Sequence, residues 1–205
     1  MTVLKTDTMQ PFTRLQHGFP PDQRAQVTAI YMQAFGPKLG RILGTTQRAQ
    51  DFVAASIDPA FAITAMDSAS DQVIGIAGYR TERGGLTNRF GDELRPHYGQ
   101  FGGLWRGIIL DMLETPETSD KFLVDGIAIA DSHRGQGIGT SLLHALEQRA
   151  VDLGKRAVRL DVIDRNDRAR ALYARQGYQI TGSHDLGVLQ YAFGFRHATQ
   201  MTKML

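Results

Sequence analysis

The chain has 205 residues, 42% of them apolar and 21% charged, with a formal net charge of +2 and no cysteine, which is enough chain for one well-buried core and the balance of a globular protein rather than a disordered or fibrous one. These figures exclude a disulfide framework, a thiolate nucleophile and a cysteine-based zinc site, and the net charge is too small to argue for nucleic acid. No apolar run reaches the roughly 18 residues a bilayer span needs, the first residues lack a basic stretch followed by an apolar one, and the missing cysteines fit a reducing, cytoplasmic setting.

In chain order, Pro11-Phe-Thr-Arg-Leu reads as a short strand. Pro20-Pro21-Asp22 opens a helix, since proline and aspartate both suit a first turn. Val27, Ile30, Tyr31, Ala34 and Phe35 give that helix an apolar face, and Gly36-Pro37 is expected to end it, with Gly40 and Gly44 in a connector. Thr46 can cap a second helix, 47–56, with Phe52 and Val53 inward. Residues 61–66 alternate like a strand, 67–71 form a turn of side chains that bond their own backbone, and 72–80 complete a hairpin. The stretch 84–120 is less regular and predicts one helix, 104–114, with Leu104, Ile108, Ile109, Met112 and Leu113 apolar, Trp105 in the core and Thr115-Pro116 as its stop. A strongly apolar strand follows at 122–130. After a turn comes a helix from about 137 to 153, whose Ile138, Leu142, Leu146, Ala150 and Leu153 form one stripe, with Gly154 as its C-cap. Then come a strand at 157–163, a short helix at 167–175 stopped by Gly177, and closing strands at 179–181 and 188–199. The aromatic-rich 189–195 is expected to support a cleft or a dimer contact.

Between strand 122–130 and its helix lies Arg134-Gly-Gln-Gly-Ile-Gly-Thr140. A strand, a glycine turn and a helix in that order make an anion site. The first helical amides have no partner within the helix, and the dipole adds partial positive charge there. Gly135, Gly137 and Gly139 lack Cβ, so a phosphate can approach the backbone, and Arg134 sets a forked cation at the mouth. From 121 to 178, ten Lys/Arg stand against seven Asp/Glu, a local +3 that exceeds the +2 of the whole chain. That surplus suits a phosphate-bearing small ligand, and it also describes a solvated helix face rich in arginine. An ordinary tight turn is the other reading of the glycines. The P-loop pattern G-x-x-x-x-G-K-[ST] is absent, and the dinucleotide pattern G-x-G-x-x-G fails because Thr140 stands where its third glycine belongs. What fits is Arg134-x-x-Gly137-x-Gly139.

At this point the sequence resembles the GNAT (GCN5-related) N-acetyltransferase family. Val124-Asp-Gly-Ile-Ala-Ile-Ala-Asp-Ser-His-Arg-Gly-Gln-Gly-Ile-Gly-Thr-Ser-Leu-Leu143 looks like the family's central cofactor motif. Residues 160–178 are similar to its following strand and helix, with Asn166, Ala169, Leu172, Tyr173 and Gly177 at family-like spacing. The element order on either side agrees, so the match covers most of the chain. The resemblance implies a mixed α+β (α/β) fold: a single domain over 1–205 whose central mixed sheet, flanked by helices, splays between the parallel strands 122–130 and 157–163. It implies acetyl-CoA held in that splay. The backbone of Ile127, Ala128 and Ile129 would contact the pantetheine arm. The amides of Arg134, Gly135, Gln136, Gly137, Ile138, Gly139 and Thr140 would hold the pyrophosphate. Asn166 would bond the cofactor near the splay, with Ala169, Leu172 and Tyr173 at the thioester end.

The activity implied is acetyl transfer to a primary amine by direct attack in a ternary complex. An amine normally holds its proton up to about pH 10, so a base must take it before attack. Tyr173 matches the family's general acid for the departing thiolate; its other reading is a packed core aromatic. Asp125, a carboxylate in the apolar run Phe122-Leu-Val-Asp-Gly-Ile-Ala-Ile129, is a candidate base or amine anchor, because desolvation would raise its pKa. The same position also suits a structural hydrogen bond, and many members of the family use a chain of waters instead.

The acceptor side, by the same resemblance, falls on 35–44 and 84–103, the latter carrying Phe90, Asp92, Glu93, His97, Tyr98 and Phe101, within a stretch (84–120) long enough to shape a site. His133 reads as a solvated loop histidine, and Asp161 and Asp164 as surface or capping groups. The six histidines show no metal-ligand spacing, so no metal is assigned. The expected partners are acetyl-CoA and an amine-bearing small molecule or peptide, without nucleic acid or membrane, and with a homodimer left open. A non-catalytic acetyl-CoA-binding regulatory module and a dinucleotide-binding oxidoreductase are the alternatives.

Overall fold

The two alternating runs form the expected hairpin, β2 (Ala62–Asp67) antiparallel to β3 (Val73–Thr81), in a computed structural model that describes residues 13–44, 47–87, 89–111, 120–187 and 190–205. Its turn is built as read: the Asp67 carboxylate accepts from the Ala69 amide at 3.1 Å and the Ser70 hydroxyl at 2.7 Å. β1 (Thr13–His17) adds outside β2, and the two-residue β4 (Gly84–Gly85) pairs with the far end of β3. The inner strands are β5 (Lys121–Ile129) and β6 (Ala157–Ile163), followed by β8 (His197–Met204) and β7 (Gln179–Asp185) at the other edge, in the order β1-β2-β3-β5-β6-β8-β7. Every adjacent pair is antiparallel except β5 and β6.

That parallel pair is also incomplete. Its register runs only from Lys121↔Ala157 to Val124↔Leu160. Beyond it β5 stays with β3 as far as Gly75↔Ile129, and β6 stays with β8 as far as Ile163↔Ala198. The two central strands therefore part, and 125–129 present their β6-side backbone to the gap.

At β2 both faces of the sheet are covered, which is why that strand is buried along its length rather than on alternate residues. Ala62 and Met66 pack with helices α1 (Arg24–Leu43), α2 (Gln47–Ser56) and α3 (Phe90–Asp111). Ile63 and Ala65 face α4 (Ile138–Asp152). The α4 stripe is as predicted, with Ile138, Leu142, Leu146 and Ala150 buried and Leu153 packed beside them. α5 (Asp167–Arg175) lies beyond the gap, tied to α4 where His144 Nε2 meets Gln176 Oε1 at 2.7 Å.

Two helix boundaries differ from expectation. α1 does not stop at Gly36-Pro37 but runs on to Leu43. A proline inside a helix costs about 3 kcal/mol, yet Leu39, Ile42 and Leu43 are buried in the core beyond it. Gly44 then ends the helix at φ 83°, its amide donating to Gly40 O at 2.8 Å. α3 begins at Phe90 rather than 104 and passes through Pro96, kinking at Gly99. Its first half is held by burial: Leu94 is in the core, and the rings of Phe90 and Tyr98 lie 5.1 and 5.6 Å from that of Phe52. Leu104, expected inward, is 62% exposed. The Trp105 side chain, residues 112–119 and the cap at Thr46 lie outside the described residues.

The closing segment also differs. β7 extends to Asp185, and 190–193 form a single helical turn, α6 (Gln190–Phe193), ended by Gly194 at φ 76°. A left-handed glycine breaks the extended run that the alternating aromatics suggested. Phe195 then returns to the core and β8 starts at His197.

Candidate functional site

The glycine turn is held open by backbone geometry. After a 3-10 turn at Asp131–His133, Arg134 is extended, and Gly135 and Gly137 take φ 81° and 79°. A side-chain-bearing residue would pay roughly 1–2 kcal/mol there. A Cβ at either position would meet nothing within 4 Å. Gly137 is the N-cap of α4 and offers no capping side chain, so Thr140 and Ser141 are the first amides to find an acceptor, Gly137 O at 3.0 and 3.1 Å. Among the described residues the amides of 135–139 make no hydrogen bond. Unpartnered amides at a helix N-terminus, without a Cβ in front of them, are the elements of an anion cradle. Gly139 serves packing instead: a Cβ there would sit 3.2 Å from Ile129 Cδ1.

This turn closes one end of a cleft of about 540 Å³. The splayed part of β5 supplies Ile127, Ala128 and Ile129; the turn supplies Arg134, Gly135, Gly137, Ile138, Gly139 and Thr140; α5 and its cap supply Asn166, Ala169, Leu172 and Tyr173. Of the predicted site residues, two stand outside the lining. Gln136 turns its Nε2 toward Ser132 O at 3.5 Å, and Asp125 lies further back on β5. Three residues that sequence reasoning missed join the walls: Ala34 from α1, and Arg168 and Arg175 from α5. The signal for the arginines was their spacing, since 168, 172 and 175 fall on one helix face.

Asn166 caps α5, its Oδ1 accepting the Ala169 amide at 3.2 Å. The cap fixes the start of a nine-residue helix and so the position of Tyr173 on it. The Tyr173 ring lies 5.9 Å from that of Tyr178. Burial pushes its hydroxyl up to about 12, and it makes no hydrogen bond within the described residues. A desolvated phenol of this kind keeps its proton at neutral pH until an anion forms beside it.

Asp125 has a different setting. The β3–β5 register jumps from Gly78↔Gly126 to Tyr79↔Val124, so Asp125 is the extra residue of a β-bulge. Its carboxylate accepts the Leu86 amide at 3.1 Å and stands 3.4 Å from Arg80 Nε. Tyr31 is held above the usual tyrosine value, first by burial and then by the charge of Asp125, with Arg80 opposing. Next along the strand, the Phe35 ring lies on Gly126, where a Cβ would be 2.4 Å from Phe35 Cζ.

Of the remaining candidates, His133 shares a 2.9 Å contact with Ser132 Oγ, Asp161 pairs with Arg159 at 3.3 Å, and Asp164 accepts the His197 amide at 3.3 Å. Among the described residues no cluster of His, Asp and Glu could hold a metal, and no helix is long and apolar enough to cross a membrane.

A sheet split at its one parallel pair, with a glycine turn closing the split, agrees with the comparisons. The model of the acetyltransferase (GNAT) family matches residues 25–178, and the chain belongs to that family. Among curated proteins none matches the sequence. Solved structures share the fold at low identity. An N-acetyltransferase from Staphylococcus aureus Mu50 is 14% identical with a TM-score of 0.63, covering 92% of this chain and 99% of that one. A GCN5-related N-acetyltransferase from Kribbella flavida is 13% identical with a TM-score of 0.62, covering 94% and 98%. A mosquito arylalkylamine N-acetyltransferase like 5b is 16% identical with a TM-score of 0.60, covering 94% and 100%.

Proposed function

We propose that this protein transfers an acetyl group from acetyl-CoA to a primary amine in a ternary complex, with the whole chain working as one domain. The observation that carries this reading is the cleft itself, in which the gap between β5 and β6 runs from the glycine turn to Tyr173. The unpartnered amides of 135–139, with Arg134, would take the pyrophosphate. The unpaired edge at 127–129 offers backbone groups to an amide-bearing arm, in the manner of an added strand.

In the reaction the amine nitrogen forms a bond to the thioester carbonyl carbon, the C–S bond breaks, and sulfur leaves as a thiolate. Tyr173 gives its proton to that sulfur and recovers one from solvent. The apolar setting that raises the Tyr173 pKa would raise that of the thiol too, so donor and acceptor stay matched. The ammonium proton goes to a base before attack, and the second nitrogen proton, shed as the amide forms, leaves to solvent by the same route. Both oxygens of Asp125 face protein groups and the residue does not line the cleft. This favours a positioning role for Asp125 and a chain of waters as the base.

The acceptor side would lie where Phe35 covers Gly126 and where Asp125 pins Leu86, ahead of α3. On this reading 84–120 shapes the acceptor pocket. The direct test is thiol release from acetyl-CoA across a panel of amines, with longer acyl-CoAs as controls and the acetylated amine identified by mass. Release that requires both substrates supports the proposal. Tight acetyl-CoA binding with no turnover on any amine would replace it with a regulatory, non-catalytic reading, and tight NADH binding without acetyl-CoA binding would replace it with an oxidoreductase.

A further inference from the structure

A buried cation lies on the sheet face turned away from α4, outside the lining of the cleft. Phe122, Val158, Leu160, Val162 and Met201 pack with Leu142 and Leu146 of α4, so the alternating residues of β5, β6 and β8 point the other way, to the side that α1 and α3 cover. The pairings Arg80↔Leu123, Leu123↔Arg159 and Arg159↔Thr202 set these four residues in one row across that face. Arg159 is only 8% exposed, yet its ion pair is long: Nη2 stands 3.3 and 3.5 Å from the two carboxylate oxygens of Asp161. Its Nε is buried with no hydrogen-bond partner among the described residues.

A guanidinium bound to a carboxylate is commonly forked, two nitrogens to two oxygens at about 2.7–2.9 Å, and a buried donor without an acceptor costs stability. Arg159 therefore has donor capacity to spare, and its place on β6 says for what. Val124↔Leu160 is the last pair before β5 and β6 part, so Asp161 is the first β6 residue on this face beside the gap, with Arg159 about 7 Å behind it. Across the gap on β5, Asp125 faces Arg80 on the same side of the sheet. A ligand lying along β6 meets a cation first and carboxylates at the mouth of the gap, where the thioester would lie. An amine that also carries a carboxylate matches that order, with its carboxylate on Arg159 and its ammonium toward Asp161 and the reacting carbon. Such a ligand parts Arg159 from Asp161 without stranding either charge. A phosphate group, at about −1.5 to −2 near neutral pH, would set its surplus charge against Asp161.

We propose that Arg159 binds the carboxylate of the acceptor, and so that the acceptor is an amino acid, its amine directed along β6 into the gap. The proposal rests on the acetyl-transfer reading above. Its test is steady-state acetylation of α- and ω-amino acids and of their isosteric carboxamides by the wild type, Arg159→Gln, and Arg14→Gln, whose residue pairs with Asp71 at the opposite edge of the sheet. The wild-type kcat/KM should favour an acid over its amide by about tenfold or more, as charged hydrogen bonds imply. Arg159→Gln should bring that ratio close to unity by raising the KM of the acid, with the KM of acetyl-CoA unmoved. Arg14→Gln should leave the ratio unchanged. A wild type that takes acids and amides alike, a ratio retained by Arg159→Gln, or one erased equally by Arg14→Gln would each overturn the site and leave the acetyl-transfer reading intact. The first of these needs no variant, so the proposal stays open to refutation even if Arg159→Gln does not fold. If acetyl-CoA releases no thiol with any amine, that reading falls and the site with it.

Discussion

The carboxylate of Asp125 stands 3.4 Å from Arg80 Nε and accepts the Leu86 amide at 3.1 Å, joining the bulge of β5 to the segment that leads into α3. Both side chains of the pair are about one-sixth exposed, at 15% and 16%. Asp125→Asn keeps an acceptor for Leu86 but removes the charge facing Arg80, so about 1–3 kcal/mol of stability should be lost, and Asp125→Ala should lose more. Urea unfolding measures both. A positioning role further predicts less than about a tenfold fall in kcat for Asp125→Asn with the pH profile unmoved. A loss of 100-fold or more with stability intact would instead make Asp125 the base, since proton transfer contributes about 100- to 10,000-fold.

Tyr173→Phe removes a hydroxyl that no group among the described residues engages, so the fold should tolerate it, with stability within about 0.5 kcal/mol of wild type. Under the proposed mechanism kcat should fall about 100-fold or more while the KM for acetyl-CoA stays put. With the hydroxyl pushed up to about 12 in the folded protein, against about 10 when unfolded, it stays protonated in both states below pH 10. Its contribution to stability is therefore complete below pH 10 and is lost as pH rises through about 12. The kcat profile should show no descending limb from this group between pH 8 and 10. Wild-type turnover in Tyr173→Phe would remove the acid role.

Much of this architecture was readable because its signals are local. α2, β6 and α5 fall on the predicted residues, since each is a periodic run bounded by a cap or glycine, as with Asn166 before α5 and Gly177 after it. The misses are places where tertiary burial outweighs local preference. Pro37 looks like a stop and Pro96 sits in a stretch that reads as irregular, but buried Leu39, Ile42 and Leu94 offset the lost helix bonds. The split of β5 from β6 had no signature in residue pattern and came only from the family resemblance. Arg168 and Arg175 went unread because arginines on a short, mostly polar helix look like any solvated face until the fold sets a cleft beside them.

Gly126 has no room for a side chain: a Cβ would lie 2.4 Å from Phe35 Cζ and 3.1 Å from Phe35 Cε1. Gly126→Ala should push the ring off the strand at a cost of about 1–3 kcal/mol. Truncating the ring makes the space again, so Phe35→Leu combined with Gly126→Ala should be less destabilised than the sum of the two single changes, by about 1 kcal/mol. Chemical denaturation of all four proteins closes the cycle. Strict additivity would mean the two residues do not meet. Because Phe35 and Gly126 lie on the proposed acceptor side, the single Gly126→Ala change should raise the KM of the amine more than that of acetyl-CoA.

Gly137 allows backbone strain and charge to be separated at the cradle. At φ 79° with nothing within 4 Å of its Cβ position, an alanine fits the space but not the conformation. Gly137→Ala should therefore lose about 1–2 kcal/mol of stability and weaken CoA by less than about tenfold, because the amides around it are still available. Gly137→Glu carries the same backbone strain and adds an anion beside those amides. Its stability should track the alanine variant within about 0.5 kcal/mol, while CoA affinity should fall by a further 100-fold or more through repulsion of the pyrophosphate, an effect that eases as salt rises. Equal CoA affinity in the alanine and glutamate variants would mean that the phosphates do not sit at this turn, and the cradle assignment would have to be given up even if the enzyme still acetylates amines.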